Sequence, residues 1–172
     1  EVVRLEGPLP EGQVLQHVRD VARGLEASLR EGIIHRDIKP RNLFLTAEDR
    51  VKVGDFGLAR IADETTLTEA GQVFGTPHFM SPEVLDGHPA DWRSDQYALG
   101  VTMFYLLTGR YPFESESPEV LARKYMNDPM PSLKGVLPDA SDAADALFRR
   151  MTSRAPGDRF GSYAEIVAAI SR

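Results

Sequence analysis

The stretch from His35 to Gly57 restricts the fold of this 172-residue chain more than any other, because it sets two short β-prone runs between clusters of polar groups. It reads HRDIKPRN, then Leu43, Phe44 and Leu45, then TAEDR, then VKV, then GDFG. LFL and VKV flank a polar turn, which is the pattern of two strands in one tight hairpin. A hairpin brings its two ends together. Asn42, ahead of the first strand, and Asp55, just past the second, then face one site, with Asp37 on the loop before them. Two acids and an amide placed in this way suit a charged phosphate and its cation. Taken singly, each has a plainer reading, since an Asp before a turn is often a cap and an Asn opening a strand is often a turn residue. The joint pattern is more specific. Six specified residues in H-R-D-x-K-P-x-N make a chance match on the order of 10⁻⁸ per starting point.

These motifs resemble the catalytic and metal-binding loops of eukaryotic-type (Hanks-type) protein kinases, and Lys39 is similar to the serine/threonine branch. The resemblance implies transfer of the ATP γ-phosphate to a protein Ser/Thr hydroxyl, with ATP and Mg²⁺ as cofactors. Carried over residue by residue, Asp37 accepts the proton of the substrate hydroxyl, Lys39 meets the γ-phosphate, and Asn42 and Asp55 hold Mg²⁺. Phe44 would supply the floor of an adenine pocket. The abbreviated helical tail and the DQYALG run resemble bacterial members.

Composition sets outer bounds. With 42% hydrophobic residues the chain is long enough for one well-buried core, so one domain spanning residues 1–172 is expected. A net charge of −6 argues against nucleic-acid or anionic-membrane partners, which need a basic face. Zero cysteines remove disulfides, thiolate metal sites and cysteine nucleophiles together, and suit a reducing compartment. The most apolar segment, Tyr97 to Leu107, is too short to cross a bilayer, and no charged-then-apolar signal opens the chain. A cytoplasmic location is therefore the expectation, with an anchor outside these residues left open.

Pro8 and Pro10 precede a helical pattern in which Val14, Val18, Val21, Ala22, Leu25 and Leu29 recur at spacings of three and four. The pattern stops at Gly32, after which Ile33 and Ile34 are expected to lead the chain back under cover. Between Asp55 and Glu83 periodicity is lost over a span too long for an ordinary connection. By resemblance this is an activation segment running from DFG to Ser81, Pro82 and Glu83, with Thr76 touching Asp37 and Lys39. Arg36 would grip a phosphate on Thr65, Thr66 or Thr68. Read alone, Gly75, Thr76 and Pro77 only punctuate a loop.

Ser94 and Asp95 open the run YALGVTMFYLL, closed by Thr108 and Gly109, and a helix apolar on most sides belongs in the middle of a domain. By resemblance Asp95 is the residue that bonds the backbone of the HRD loop, a role compatible with its plainer reading as a helix cap. Three shorter helices are expected after Ser117, Ser141 and Ser162, the last with a capping box to Glu165. Arg159 matches the arginine that pairs with the glutamate here numbered Glu83.

The expected fold class is mainly α, the helical C-terminal lobe of a protein kinase with a small β-hairpin carrying the catalytic and metal loops. No G-x-G-x-x-G occurs, nor the strand lysine and helix glutamate that accompany it in the family. The N-terminal lobe is thus expected to be missing from these residues, as a partner they need, and the fragment alone to be inactive. Two other readings stay open: a small-molecule phosphotransferase of kinase-like fold, and a non-catalytic scaffold descended from kinases.

Overall fold

The computed structural model describes residues 3–4, 8–56 and 77–171. The chain forms β1 (Val3–Arg4), α1 (Glu11–Arg30), β2 (Leu43–Leu45), β3 (Val51–Val53), α2 (Pro82–Leu85), α3 (Trp92–Thr108), α4 (Pro118–Asn127), α5 (Leu133–Val136), α6 (Asp142–Met151) and α7 (Tyr163–Ile170). Three-residue 3₁₀ turns at Pro40–Asn42, Pro77–Phe79 and Pro156–Asp158 punctuate it. The mainly helical lobe expected from the sequence is present.

α3 is the axis of the core. Thirteen of its seventeen residues are buried, so it carries almost no polar face and must be covered on every side. α1 lies against it through Val14, Val18, Val21, Ala22 and Leu25, and α6 through Leu147, Phe148 and Met151. The two helices α3 and α6 approach closely at Gly100, where an added Cβ would stand 2.7 Å from the Thr152 methyl and 3.0 Å from Met151 Cβ. Burying one Phe or Leu fully stabilises by about 1.5 to 3 kcal/mol. The rings of Phe104 and Phe148, 5.1 Å apart in this interface, are both below 2% exposed. A second, smaller core forms where Leu85 of α2, Tyr97 and Val101 of α3, and Leu121, Ala122 and Tyr125 of α4 meet.

The hairpin of β2 and β3 pairs Leu43 with Val53, Phe44 with Lys52 and Leu45 with Val51, and β1 adds a third antiparallel strand on the β2 side. Its turn is clamped to α1. The Asp20 carboxylate accepts from Arg50 Nε at 2.7 Å, Arg50 Nη2 at 2.8 Å and the Val51 N–H at 3.2 Å, while Gln16 Nε2 donates to the Asp49 carbonyl at 3.0 Å. Burial pushes the Asp20 carboxyl up. The hydrogen bonds and charge of Arg50, with the Val51 N–H, outweigh that and hold it below the usual carboxylate range.

Three local expectations are corrected. Ile33 is 48% exposed: after left-handed Gly32 its N–H turns back to the Ser28 carbonyl, which keeps Ile33 outside, and the chain is under cover only at His35. α3 opens at Trp92, not at Ser94, because the Asp91 side chain caps it in a reciprocal box with Ser94. At α7, Ser162 Oγ accepts from the Glu165 N–H, but the Glu165 carboxylate reaches the N–H of Gly161 and not that of Ser162, so the box is not closed. The four-residue helices α2 and α5 and the strand β1 are additions that the sequence pattern did not announce.

Candidate active site

Asp95 sits in the first turn of α3, and its two carboxylate oxygens receive two consecutive backbone N–H groups from the loop after α1. Oδ2 accepts from His35 at 2.8 Å and Oδ1 from Arg36 at 2.7 Å. The loop needs this support, because Arg36 holds φ at 66°, a left-handed conformation that costs a non-glycine residue roughly 1 to 3 kcal/mol. Burial pushes the Asp95 carboxyl up to about 7, against the two N–H groups, which favour its charged form.

His35, fully buried, joins the two functional loops. Its Nδ1 accepts the Asp37 N–H at 3.2 Å, so the proton is on Nε2, which donates to the Gly54 carbonyl at 2.8 Å. Burial lowers the pKa of this ring below its ordinary value, consistent with the neutral tautomer. Its ring also meets Phe56 edge-on, with centroids 4.7 Å apart.

Asp37, Lys39 and Asn42 come together on this loop. Lys39 Nζ is 2.8 Å from Asp37 Oδ1 and 2.7 Å from Oδ2. Asn42 Nδ2 donates to the Asp37 carbonyl at 2.7 Å and to Asp37 Oδ2 at 2.9 Å. Both amide N–H bonds thus point at Asp37, and the amide oxygen is the atom Asn42 would offer to a cation. The Asp37 side chain is 41% exposed, open enough to meet a substrate.

Across the hairpin, the Gly54 N–H donates to the Asn42 carbonyl at 2.9 Å, which puts Asp55 directly beside the Asn42 end. Asp55 is exposed and takes φ of 61°. Phe44 is half-buried in β2 with its ring over Gly54, where a Cβ would lie 2.3 Å from Phe44 Cε2. Only glycine fits there without displacement. Among the described residues, no group of three or more His, Cys, Asp or Glu side chains could hold a metal alone. One amide oxygen and one carboxylate fit Mg²⁺ all the same, since that ion is usually held by one or two protein oxygens together with phosphates and water.

Glu83, at the start of α2, meets Arg159 from the loop between α6 and α7. Arg159 Nη2 is 2.7 Å from Glu83 Oε2 and Nη1 2.8 Å from Oε1; the other donors reach the carbonyls of Ser153, Arg93 and Arg154. The arginine side chain is fully buried and the glutamate side chain 16% exposed. Ser94 adds a hydroxyl bond to Glu83 Oε1 at 3.1 Å, a link that no sequence pattern signalled. Thr65, Thr66, Thr68 and Thr76 lie outside the described residues.

A family description for the protein kinase domain matches residues 1–169. The chain belongs to the protein kinase family. Among similar proteins, serine/threonine-protein kinase PknB of Mycobacterium leprae is 38% identical over all of this chain and 28% of its own length. Serine/threonine-protein kinase pkn3 of Myxococcus xanthus is 42% identical over 92% of this chain and 31% of its own length. PknL of Mycobacterium tuberculosis is 36% identical over 98% of the chain and 41% of itself. This protein kinase chain therefore spans between about a quarter and two fifths of the curated relatives it matches. No described helix is long and apolar enough to cross a membrane.

Proposed function

We propose that this chain carries the catalytic residues of a serine/threonine protein kinase acting on protein substrates with ATP. The observation that supports it best is the Asp37–Lys39–Asn42 cluster, tied through the Gly54 backbone to Asp55. In this reading Asp37 orients a Ser or Thr hydroxyl and takes its proton while the hydroxyl oxygen bonds to the γ-phosphorus. The bond from that phosphorus to the β–γ bridging oxygen breaks, and ADP leaves. Lys39, already beside Asp37, neutralises the transferring phosphoryl group. Asn42 and Asp55 would hold Mg²⁺, which supplies charge neutralisation between the β and γ phosphates when bound. Phe44 would form the floor beneath the adenine. The glycine-rich loop and lysine covering the phosphates would come from outside residues 1–172, and the cytoplasm is the proposed compartment.

The direct test is transfer of labelled γ-phosphate by the intact protein to matched peptides presenting Ser, Thr or Tyr. Label on Ser and Thr peptides and not on Tyr is expected. Label on Tyr alone, or only on small molecules, would overturn the substrate class. Asp55→Ala is expected to weaken Mg²⁺-dependent nucleotide binding, because a hard cation loses an anionic oxygen; unchanged affinity in a Mg²⁺ titration would count against its role.

The same reading makes Thr65, Thr66 and Thr68 the sites of a regulatory phosphate that Arg36 would grip. Mass spectrometry after incubation with Mg²⁺-ATP should find phosphate on one or more of them, and changing all three to alanine should lower activity by at least about tenfold. A triple variant as fast as the parent would place regulation elsewhere.

A further inference from the structure

One face of α1 is given over to the β2–β3 hairpin. Asp20 receives Arg50 and the Val51 N–H, Gln16 reaches the Asp49 carbonyl, and Gly24 lies so near Val53 that an added Cβ would meet its methyl at 3.6 Å. His17 stands three residues before Asp20 and seven before Gly24, the spacing that shares a helix face. Its side chain is fully buried, and neither ring nitrogen has a hydrogen-bond partner among the described residues. Nothing in the proposed phosphoryl transfer uses it.

His35 is buried as well, but both of its nitrogens are bonded. An unpaired imidazole tolerates burial only while it is neutral, because a buried charge without a partner costs far more than a buried neutral ring. Burial accordingly lowers the pKa of His17, against the pull of the Asp49 and Asp20 carboxylates. Those two acids are the charges that bear on the ring, and Asp20 is itself taken up by Arg50 and lies in the field of Arg19. Glu48 and Lys52, the other ionisable groups of the hairpin, are exposed. The ionisable groups of the other helices packed on α1 are engaged elsewhere. On α3, Asp95 holds the His35 and Arg36 N–H groups, Arg93 meets Asp91, Tyr97 lies under Arg159 and Tyr105 stacks on Tyr111. On α7, Tyr163 reaches the Trp92 carbonyl and Glu165 meets Arg150.

We propose that His17 is an acid-sensitive latch between α1 and the hairpin turn. While the ring is neutral, the turn closes over it. A second proton sets an unpaired cation in the interface, which is relieved when the ring draws Asp20 away from Arg50 or when the turn lifts and admits water. Either movement opens the clamp at Arg50 and Val51. Because the opened state binds the proton more tightly, closure of the turn is fully stable above about pH 6.5 and weakens as pH falls through the folded value. The hairpin carries Asn42 at one end and Gly54 with Asp55 at the other, so the latch acts on the mount of the site and exists whether or not that site transfers phosphate.

Hydrogen exchange of the Val51 N–H tests this in the intact protein, with His17→Leu as the variant that keeps the bulk and cannot take a proton. The Val51 protection factor, in which the pH dependence of the exchange chemistry itself cancels, should fall by about tenfold in wild type from about pH 7 to about pH 5. In His17→Leu it should change by less than about threefold over the same range. His17→Gln, polar but without a titrating proton, serves in the same way if leucine does not fit. The Asp20 carboxyl, held low by Arg50, stays ionised throughout this range. A wild-type protection factor that stays constant across it would overturn the proposal. An equal fall in wild type and in whichever variant folds would overturn it as well, and would assign the acid sensitivity to another group such as His35.

Discussion

Gly54 shows how a single atom governs the site. It precedes Asp55, its N–H and carbonyl bond Asn42 and His35, and its missing side chain is what lets the Phe44 ring lie across it. Gly54→Ala would put a Cβ 2.3 Å from that ring, and overpacking of this kind costs roughly 1 to 3 kcal/mol. Urea denaturation should show that loss, and the double variant with Phe44→Ala should recover part of it. An alanine variant as stable as wild type would mean that the ring moves aside freely. His35 is equally constrained, since protonating Nδ1 would set a proton against the Asp37 N–H. Its burial-lowered pKa means that the stability of the neutral ring is lost as pH falls from about 6.5 through the folded value.

At the scale of elements, two ion pairs hold the functional segments to the helices. Asp20 and Arg50 fix the hairpin turn to α1, so Asp20→Asn should lower the melting temperature and the hydrogen-exchange protection of the Val51 N–H. Unaltered exchange at Val51 would show that the strand keeps its place without the clamp. Glu83 and Arg159 fix α2 to the loop before α7, and breaking one partner of such a buried pair costs roughly 3 to 5 kcal/mol. Arg159→Ala should show this loss, whereas a change within a few tenths would mean that the pair contributes little. Burial raises the Glu83 carboxyl, but the hydrogen bonds and charge of Arg159 outweigh it and leave the pKa below 4.5. The unfolded chain therefore binds the proton more tightly. The stabilisation from this pair is fully present above about pH 4.5 and is lost as pH falls through the folded value, and Glu83→Gln should flatten that acid limb.

Over the whole molecule, what could be read in the sequence is what is encoded locally. α1 carries its apolar stripe at helical spacing, the hairpin carries two β-prone runs around a polar turn, and Asp37, Lys39 and Asn42 lie within six residues of one another. Features set by distant packing were not legible. Asp95 reaches His35 and Arg36 across about 60 residues of sequence, and only the family resemblance suggested it. The true start of α3 was obscured because Ser94 and Asp95 both have cap chemistry, and that Asp91 is the cap instead depends on backbone geometry. The single-turn helices α2 and α5 are too short to show a period. The central claim, that these residues form a phosphoryl-transfer centre with Asp37 as base, is tested most directly by comparing the intact protein with its Asp37→Asn variant. Transfer from labelled ATP and Mg²⁺-ATP affinity should be measured on both. The variant should lose transfer by about 10² to 10⁴-fold while binding Mg²⁺-ATP within about threefold of wild type. Near-normal turnover in Asp37→Asn would contradict the account.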